Sequence, residues 1–263
     1  DHEAKLSIIK GKSGSGKTYL LESLKDQLSN NRFYELSGDR YSQTRPYYPF
    51  KNLLNEVYAN NQKALRKKLR HEAIQNTLTQ VGSISPLGGD ALSASITELL
   101  GTEKKKRQLQ NFAFQQDDLE LLFPLDYFCG ETKSTVFLSD DLQYWDENSL
   151  QLLYTLVKQQ GASKSFLKNA LFVATINTTI PPPSTILQGL EDEAGKYVFQ
   201  LEHIERSAYP AVLDAMGCSV QLPDELISAL YSITGGNLQL TADVVLLLHN
   251  SSDIENTMGQ IIY

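Results

Sequence analysis

The sequence predicts an α/β fold: a five-stranded parallel sheet sandwiched by helices, with a helical insertion and a small C-terminal helical lid. Three observations carry this. Short apolar runs alternate with helical patterns, an order that favours parallel strands joined by right-handed crossovers. The stretches 49–128 and from about 207 onward instead read as helical. Hydrophobic residues make up 41% and charged residues 21% of the 263 residues, which is the balance of a globular chain.

The elements follow in order. Lys5 to Lys10 read as a short strand, and Gly11 to Thr18 as a glycine-rich loop. Leu20, Leu21, Leu24 and Leu28 then recur at helical spacing. Phe33 to Leu36 form a second strand, ended by Ser37-Gly38-Asp39. In the insertion, Leu53, Leu54 and Val57 share a stripe, Leu65 and Leu69 lie nearby, and a loop near 83–89 interrupts the helices. Val136 to Leu138 make a third strand, after which Asp146 caps a helix carrying Leu150, Leu153, Leu156 and Val157. Leu171 to Ile176 are a fourth, buried strand, and Pro181-Pro182-Pro183 forbid helix directly after it. Tyr197 to Leu201 are a fifth strand. Beyond it, Pro223 suits the first turn of a helix, Gly235-Gly236 its end, and 238–249 the next helix. The expected division is an α/β core over 1–205, with the insertion at about 49–128, and a lid over 206–263.

Composition narrows the function. The sequence contains no apolar run of about 18 residues, the length a spanning helix needs. Cys129 and Cys218 are the only cysteines, too few for a disulfide framework, so a reducing, cytoplasmic setting is expected. The four histidines have no metal-binding spacing. A net charge of −7 disfavours broad nucleic-acid binding. The basic runs at 63–70 and 104–107 read as solvated helix faces. Asp1 to Lys5 hold neither an apolar signal core nor an initiator Met, which reads as a trimmed or excised chain.

Gly11-Lys12-Ser13-Gly14-Ser15-Gly16-Lys17-Thr18 fits G-x-x-x-x-G-K-[ST] between a strand and a helix. Its glycines let backbone N–H groups converge on phosphate, and the following helix adds the positive end of its dipole. Lys17 supplies a point charge for the β- and γ-phosphates, and Thr18 a hydroxyl for Mg2+. Asp140 and Asp141 close the third strand. There one carboxylate, Asp140, can hold Mg2+. The other, Asp141, can orient an attacking water. Asn177 ends the fourth strand at the carboxyl edge of the sheet, within reach of the γ-phosphate or the water. Trp145 reads as a packing anchor.

These stretches resemble one family. Gly11 to Thr18 resembles a Walker A motif, and Pro46-Tyr47-Tyr48-Pro49-Phe50 the Pro-Tyr-x-Pro-apolar element of signalling ATPases. VFLSDDLQYWDENSLQLL, from Val136 to Leu153, resembles their extended Walker B, and SITGGNLQLTADVV, from Ser232 to Val245, their lid motif. The chain thus looks like an AAA-like, STAND-class P-loop ATPase of the ASCE division. The resemblance implies ATP with Mg2+, a helical lid, and ATP used as a conformational switch. It also makes Asn177 similar to a sensor residue. The implied partners are other domains of a longer chain and further copies of itself. Leu238 stands where the family's lid motif has Pro, Ser139 takes a usually apolar position, and no Arg occurs between Arg107 and Arg206. Slow hydrolysis is therefore expected. Two other readings stay open: a DNA-linked AAA+ ATPase of the origin-recognition or helicase-loader type, and a non-catalytic nucleotide-binding scaffold.

Overall fold

A computed structural model describes residues 5–28, 30–60, 116–129, 135–159, 167, 170–181, 184–218 and 222–250. The basic runs at 63–70 and 104–107 and the loop near 83–89 lie outside the described residues. So do Leu65, Leu69, Pro182 and Pro183.

Strand β1 (Leu6–Gly11) leads through the loop into helix α1 (Lys17–Gln27) and then strand β2 (Arg32–Ser37). Helices α2 (48–60) and α3 (Gln116–Cys129) are the described ends of the insertion. Strand β3 (Thr135–Asp140) is followed by a single 3-10 turn (Leu142–Tyr144) and helix α4 (Glu147–Gln159). Strand β4 (Ala170–Asn177), helix α5 (Thr185–Ala194) and strand β5 (Val198–Leu201) complete the sheet region. Helices α6 (Tyr209–Ala215), α7 (Asp224–Thr234) and α8 (Leu238–Asn250) follow. Pro223 precedes the first turn of α7 rather than sitting within it.

The expected five-stranded parallel sheet is present, in the order β2-β3-β4-β1-β5. Both faces are buried, so successive side chains enter two different cores. Ile8, Phe137 and Phe172 pack toward α2, α3, α4 and α5, while Ile9, Val136, Leu138 and Val173 pack toward α1. Tyr34, Phe137 and Phe172 stand in register across β2, β3 and β4, with ring centroids 5.6 and 5.0 Å apart. Aromatic neighbours of this kind add stability beyond their buried area.

Helices α6 to α8 build a separate core around Tyr209, Leu213, Leu226, Leu230 and Val245. The Tyr209 hydroxyl lies 2.9 Å from Thr234 Oγ1 and 3.2 Å from Thr241 Oγ1, so its buried polar end is satisfied.

Candidate functional site

The site lies at the carboxyl ends of β1, β3 and β4, where ligands of parallel sheets bind. Interposing β4 between β1 and β3 makes the end of β4 the bridge between the phosphate loop and the paired aspartates. Gly11 is in register with Asn177, and Ser139 with Ala174.

Gly11 closes β1, and the loop then turns through Gly14 and Gly16, both at positive φ, into α1. Lys17 is 8% exposed. Its ammonium donates to the carbonyls of Gly11 (3.0 Å) and Lys12 (2.8 Å), which holds it against the loop it serves. Burial lowers its pKa, and the negative charges of Asp141 and then Asp140 act in the opposite direction. Ser15 is buried, with its hydroxyl unpartnered.

Thr18 Oγ1 donates to Asp140 Oδ2 at 3.0 Å, and Thr175 Oγ1 donates to Asp140 Oδ1. Thr18 and Asp140 are thus two hard oxygen donors in contact beside the phosphate loop, a set that suits Mg2+. Among the described residues no cluster of three or more His, Cys, Asp or Glu could hold a metal. Mg2+ at such loops usually takes only one or two protein oxygens. Asp141 adopts the left-handed conformation (φ 54°). Its N–H donates to Thr175 Oγ1 at 2.8 Å, and its Oδ1 accepts from Gln143 Nε2 at 2.7 Å. Asn177 Oδ1 accepts from the backbone N–H (3.0 Å) and hydroxyl (2.7 Å) of Thr179. The Asn177 amide oxygen is therefore committed to a local turn, and its amide nitrogen is the group left to meet a ligand.

A cavity of about 770 Å³ opens over the loop. Ser13, Gly14, Gly16, Lys17, Thr18, Asp141 and Asn177 line it on the sheet side, joined by the exposed Tyr19. Ala208, Ala211, Val212, Ala215 and Met216 around α6, and Leu238, Gln239 and Ala242 of α8, line the other. Asp140 instead lines a smaller cavity of about 130 Å³, which Thr18 also reaches. Gly11, Lys12 and Ser15 line neither, so they shape the loop from behind.

The C-terminal helices meet the loop through Asn237. Its Nδ2 donates to Ser13 O (3.1 Å), while its Oδ1 accepts from Leu240 N–H (3.1 Å) and caps α8. The Gln239 N–H reaches Gly14 O at 3.3 Å. A Cβ on Gly14 would lie 2.1 Å from Asn237 Oδ1, so a side chain here would displace the Asn237 amide that bonds Ser13. Leu238 leans over Gly16 and lines the cavity, filling the place where the family motif has Pro.

Among the described residues lining the cavity, Lys17 is the only cation. Arg40 donates to Tyr144 Oη and stacks on its ring, Arg45 lies over Tyr48, and Arg206 donates to Ser228. The sequence singled out the loop, both aspartates and Asn177, and the structure brings them to one edge of the sheet. Sequence reasoning assigned no role to Thr175 or Gln143, which join them, or to the apolar wall from α6. Trp145 is 2% exposed and meets Phe50 edge-on at 5.8 Å, as a packing anchor does.

The sheet order, the loop and the strand-end aspartate pair define a P-loop ATPase of the ASCE division. Residues 1–173 match the AAA ATPase domain family, and the chain belongs to it. No curated protein sequence matches the chain. Among solved structures, Cdc6p of Pyrobaculum aerophilum is similar with a TM-score of 0.52 at 15% identity, over 98% of this chain and 57% of that one. The Walker-type ATPase of Pyrococcus abyssi gives 0.49 at 11% identity, over 98% and 66%. The FIGL-1 AAA domain in complex with ADP gives 0.42 at 13% identity, over 96% and 65%. The chain thus spans 57% to 66% of the length of these structures. At 15% identity the likeness to Cdc6p concerns the fold alone. Membership of the AAA ATPase domain family implies nucleotide binding. Among the described residues no helix is long and apolar enough to cross a membrane.

Proposed function

We propose that this chain binds ATP in the cavity between the phosphate loop and α6–α8, hydrolyses it slowly, and acts as a nucleotide-dependent switch within a larger protein. One observation carries the reading: the loop that would hold phosphate is itself hydrogen-bonded to the C-terminal helices through Asn237. The proposed division is a core over 1–205, with the insertion at about 49–128, and a lid over 206–263. A cytoplasmic setting, neighbouring domains and self-association belong to the same reading.

In it, the Lys17 ammonium leaves the Gly11 and Lys12 carbonyls for the β- and γ-phosphate oxygens. The apolar wall of Ala208, Ala211, Val212 and Ala215 receives the flat purine. Thr18 and Asp140 would hold Mg2+, which neutralises charge on the phosphates when bound. Asp141 takes a proton from water as the water oxygen bonds to the γ-phosphorus. The bond from that phosphorus to the oxygen bridging it to the β-phosphate breaks, releasing ADP. The Asn177 amide nitrogen donates to the γ-phosphate or to that water. Lys17 is the only cation of the described lining, so an arginine finger would have to come from Arg40, Arg45, Arg206 or a partner's Arg; without one, hydrolysis is slower by a factor on the order of 10³ or more.

Calorimetric titration with ATP and Mg2+, together with phosphate release, tests the reading. Lys17→Ala is expected to remove most triphosphate affinity while leaving the fold intact, because it deletes the cation and keeps the backbone nest. Equal affinity in the variant would overturn the phosphate-loop assignment. The scaffold reading gains if ATP binds and no phosphate is released.

A further inference from the structure

Gln143 is 1% exposed in the 3-10 turn that follows the paired aspartates, and both ends of its amide are used. Nε2 donates to Asp141 Oδ1 at 2.7 Å, and Oε1 accepts the Asn177 backbone N–H at 2.9 Å. The Gln143 carbonyl accepts from Gln43 Nε2 at 3.0 Å, which fixes the turn from the loop after β2. The amide has one productive orientation. Flipped, it would set its oxygen against a carboxylate and its N–H against an N–H.

Packing alone does not need this arrangement, since an apolar side chain of the same length would fill so buried a place. The bridge ties the carboxylate at the end of β3 to the end of β4. One oxygen of Asp141 is held by Gln143, and Oδ2 has no protein partner among the described residues. Asp141 and Asn177 both line the large cavity.

We infer that Gln143 is a positioning residue for hydrolysis: it sets the Asp141 carboxylate at a fixed place relative to Asn177, so that both address the same water. This rests on the proposed role of Asp141 as the group that takes the proton from water. Such an effect acts on the reacting geometry and not on nucleotide affinity. Small misplacements of that kind can cost up to about 100-fold in rate.

The test uses ATP with Mg2+ and steady-state phosphate release on the full chain. Gln143→Met keeps the length and removes both hydrogen bonds. It is expected to lower kcat about 10- to 100-fold, with KM and calorimetric ATP affinity within about twofold. Gln143→Glu keeps the acceptor for Asn177 and opposes a carboxylate to Asp141, and is expected to lose at least as much. Gln143→His keeps a donor and an acceptor and is expected to recover most of the rate. Combined with Asp141→Asn, Gln143→Met is expected to cost less than about threefold more, because it acts through Asp141. If Gln143→Met fails to fold, as melting would show, the Glu and His variants decide between them. An unchanged kcat in the Glu variant, a rise in KM alone, or fully multiplicative losses in the double variant would overturn the inference. If Asp141→Asn alone leaves kcat unchanged, the role of Asp141 fails and the inference falls with it. If that variant is slow while Gln143→Glu is normal, only the inference fails.

Discussion

Asp140 and Asp141 are adjacent in sequence, yet the backbone turns them to different surroundings. Asp140 ends a strand and faces Thr18 and Thr175, whereas Asp141 swings into the left-handed region and lines the large cavity. Asp140→Asn is therefore expected to weaken Mg2+-dependent ATP binding, since it removes charge from the oxygen pair suited to the ion. Asp141→Asn is expected to keep ATP binding and to slow phosphate release by about 10²-fold or more, because an amide cannot take the proton. Calorimetry and phosphate release on the two variants separate these effects, and identical behaviour would show that the split of roles is wrong. At this scale the loop residues and both carboxylates were legible, because their chemistry is written in a contiguous motif. Thr175 and Gln143 were not. A polar residue inside an apolar strand acquires meaning only once β4 is known to lie between β1 and β3.

Asp146 shows how one element fixes the next. It is 5% exposed and caps α4 by accepting from Ser149 N–H (2.9 Å) and Ser149 Oγ (2.6 Å). It also accepts the backbone N–H groups of Tyr47 (2.9 Å) and Tyr48 (3.2 Å), which anchors the start of α2. The Pro-Tyr-Tyr-Pro stretch and the cap were each readable in sequence, but their contact across about a hundred residues was not. The junction after β5 depends on a glycine in the same way. Gly236 (φ 73°) accepts from Ile204 N–H at 2.9 Å, and a Cβ there would lie 1.9 Å from Ile204 O. Backbone cannot yield as a side-chain tip can. Gly236→Ala is expected to destabilise the docking of α7 and α8 by about 2 kcal/mol or more, combining strain at positive φ with the clash. Limited proteolysis should then cut near 202–208 sooner than in the parent chain, and an unchanged pattern would count against a rigid junction.

The whole molecule buries several groups that resist ionisation. Burial pushes the Cys129 thiol up to about 12 and the Tyr34 hydroxyl up to about 12, and raises Tyr47 and Tyr58 further. These folded-state values lie above the unfolded ones. Their stabilising contribution is full below the unfolded pKa, near 9 for Cys129 and 10 for the tyrosines. It is lost as pH rises through the folded values. Between about pH 9 and 12 the unfolded chain gives up protons that the folded chain retains, so stability should fall at up to about 1.4 kcal/mol per pH unit per group. Denaturant midpoints across this range check the slope, and a flat profile would contradict it.

The proposed switch also belongs to the scale of the whole molecule. Helices α6 to α8 hold their own small core, and among the described residues their hydrogen bonds to the phosphate loop are Asn237 to Ser13 and Gln239 to Gly14. A ligand touching both sides of the cavity favours the docked arrangement by as much as it binds that arrangement more tightly. ATP and ADP differ in the γ-phosphate, which would sit near Lys17, Asn177 and Asp141, on the sheet side. Any difference between the two nucleotides must therefore reach α8 through the loop carbonyls that Asn237 and Gln239 hold. Leu238, leaning over Gly16 at the start of α8, lies on that route. Amide exchange is thus expected to slow within 232–250 on adding ATP, and to slow less on adding ADP. Asn237→Ala should reduce the difference between them, because it cuts the bond to Ser13 and leaves only the Gln239 N–H on Gly14 O. Equal protection with ATP, with ADP and without nucleotide would leave the loop and α8 energetically independent, and would favour the scaffold reading over the switch.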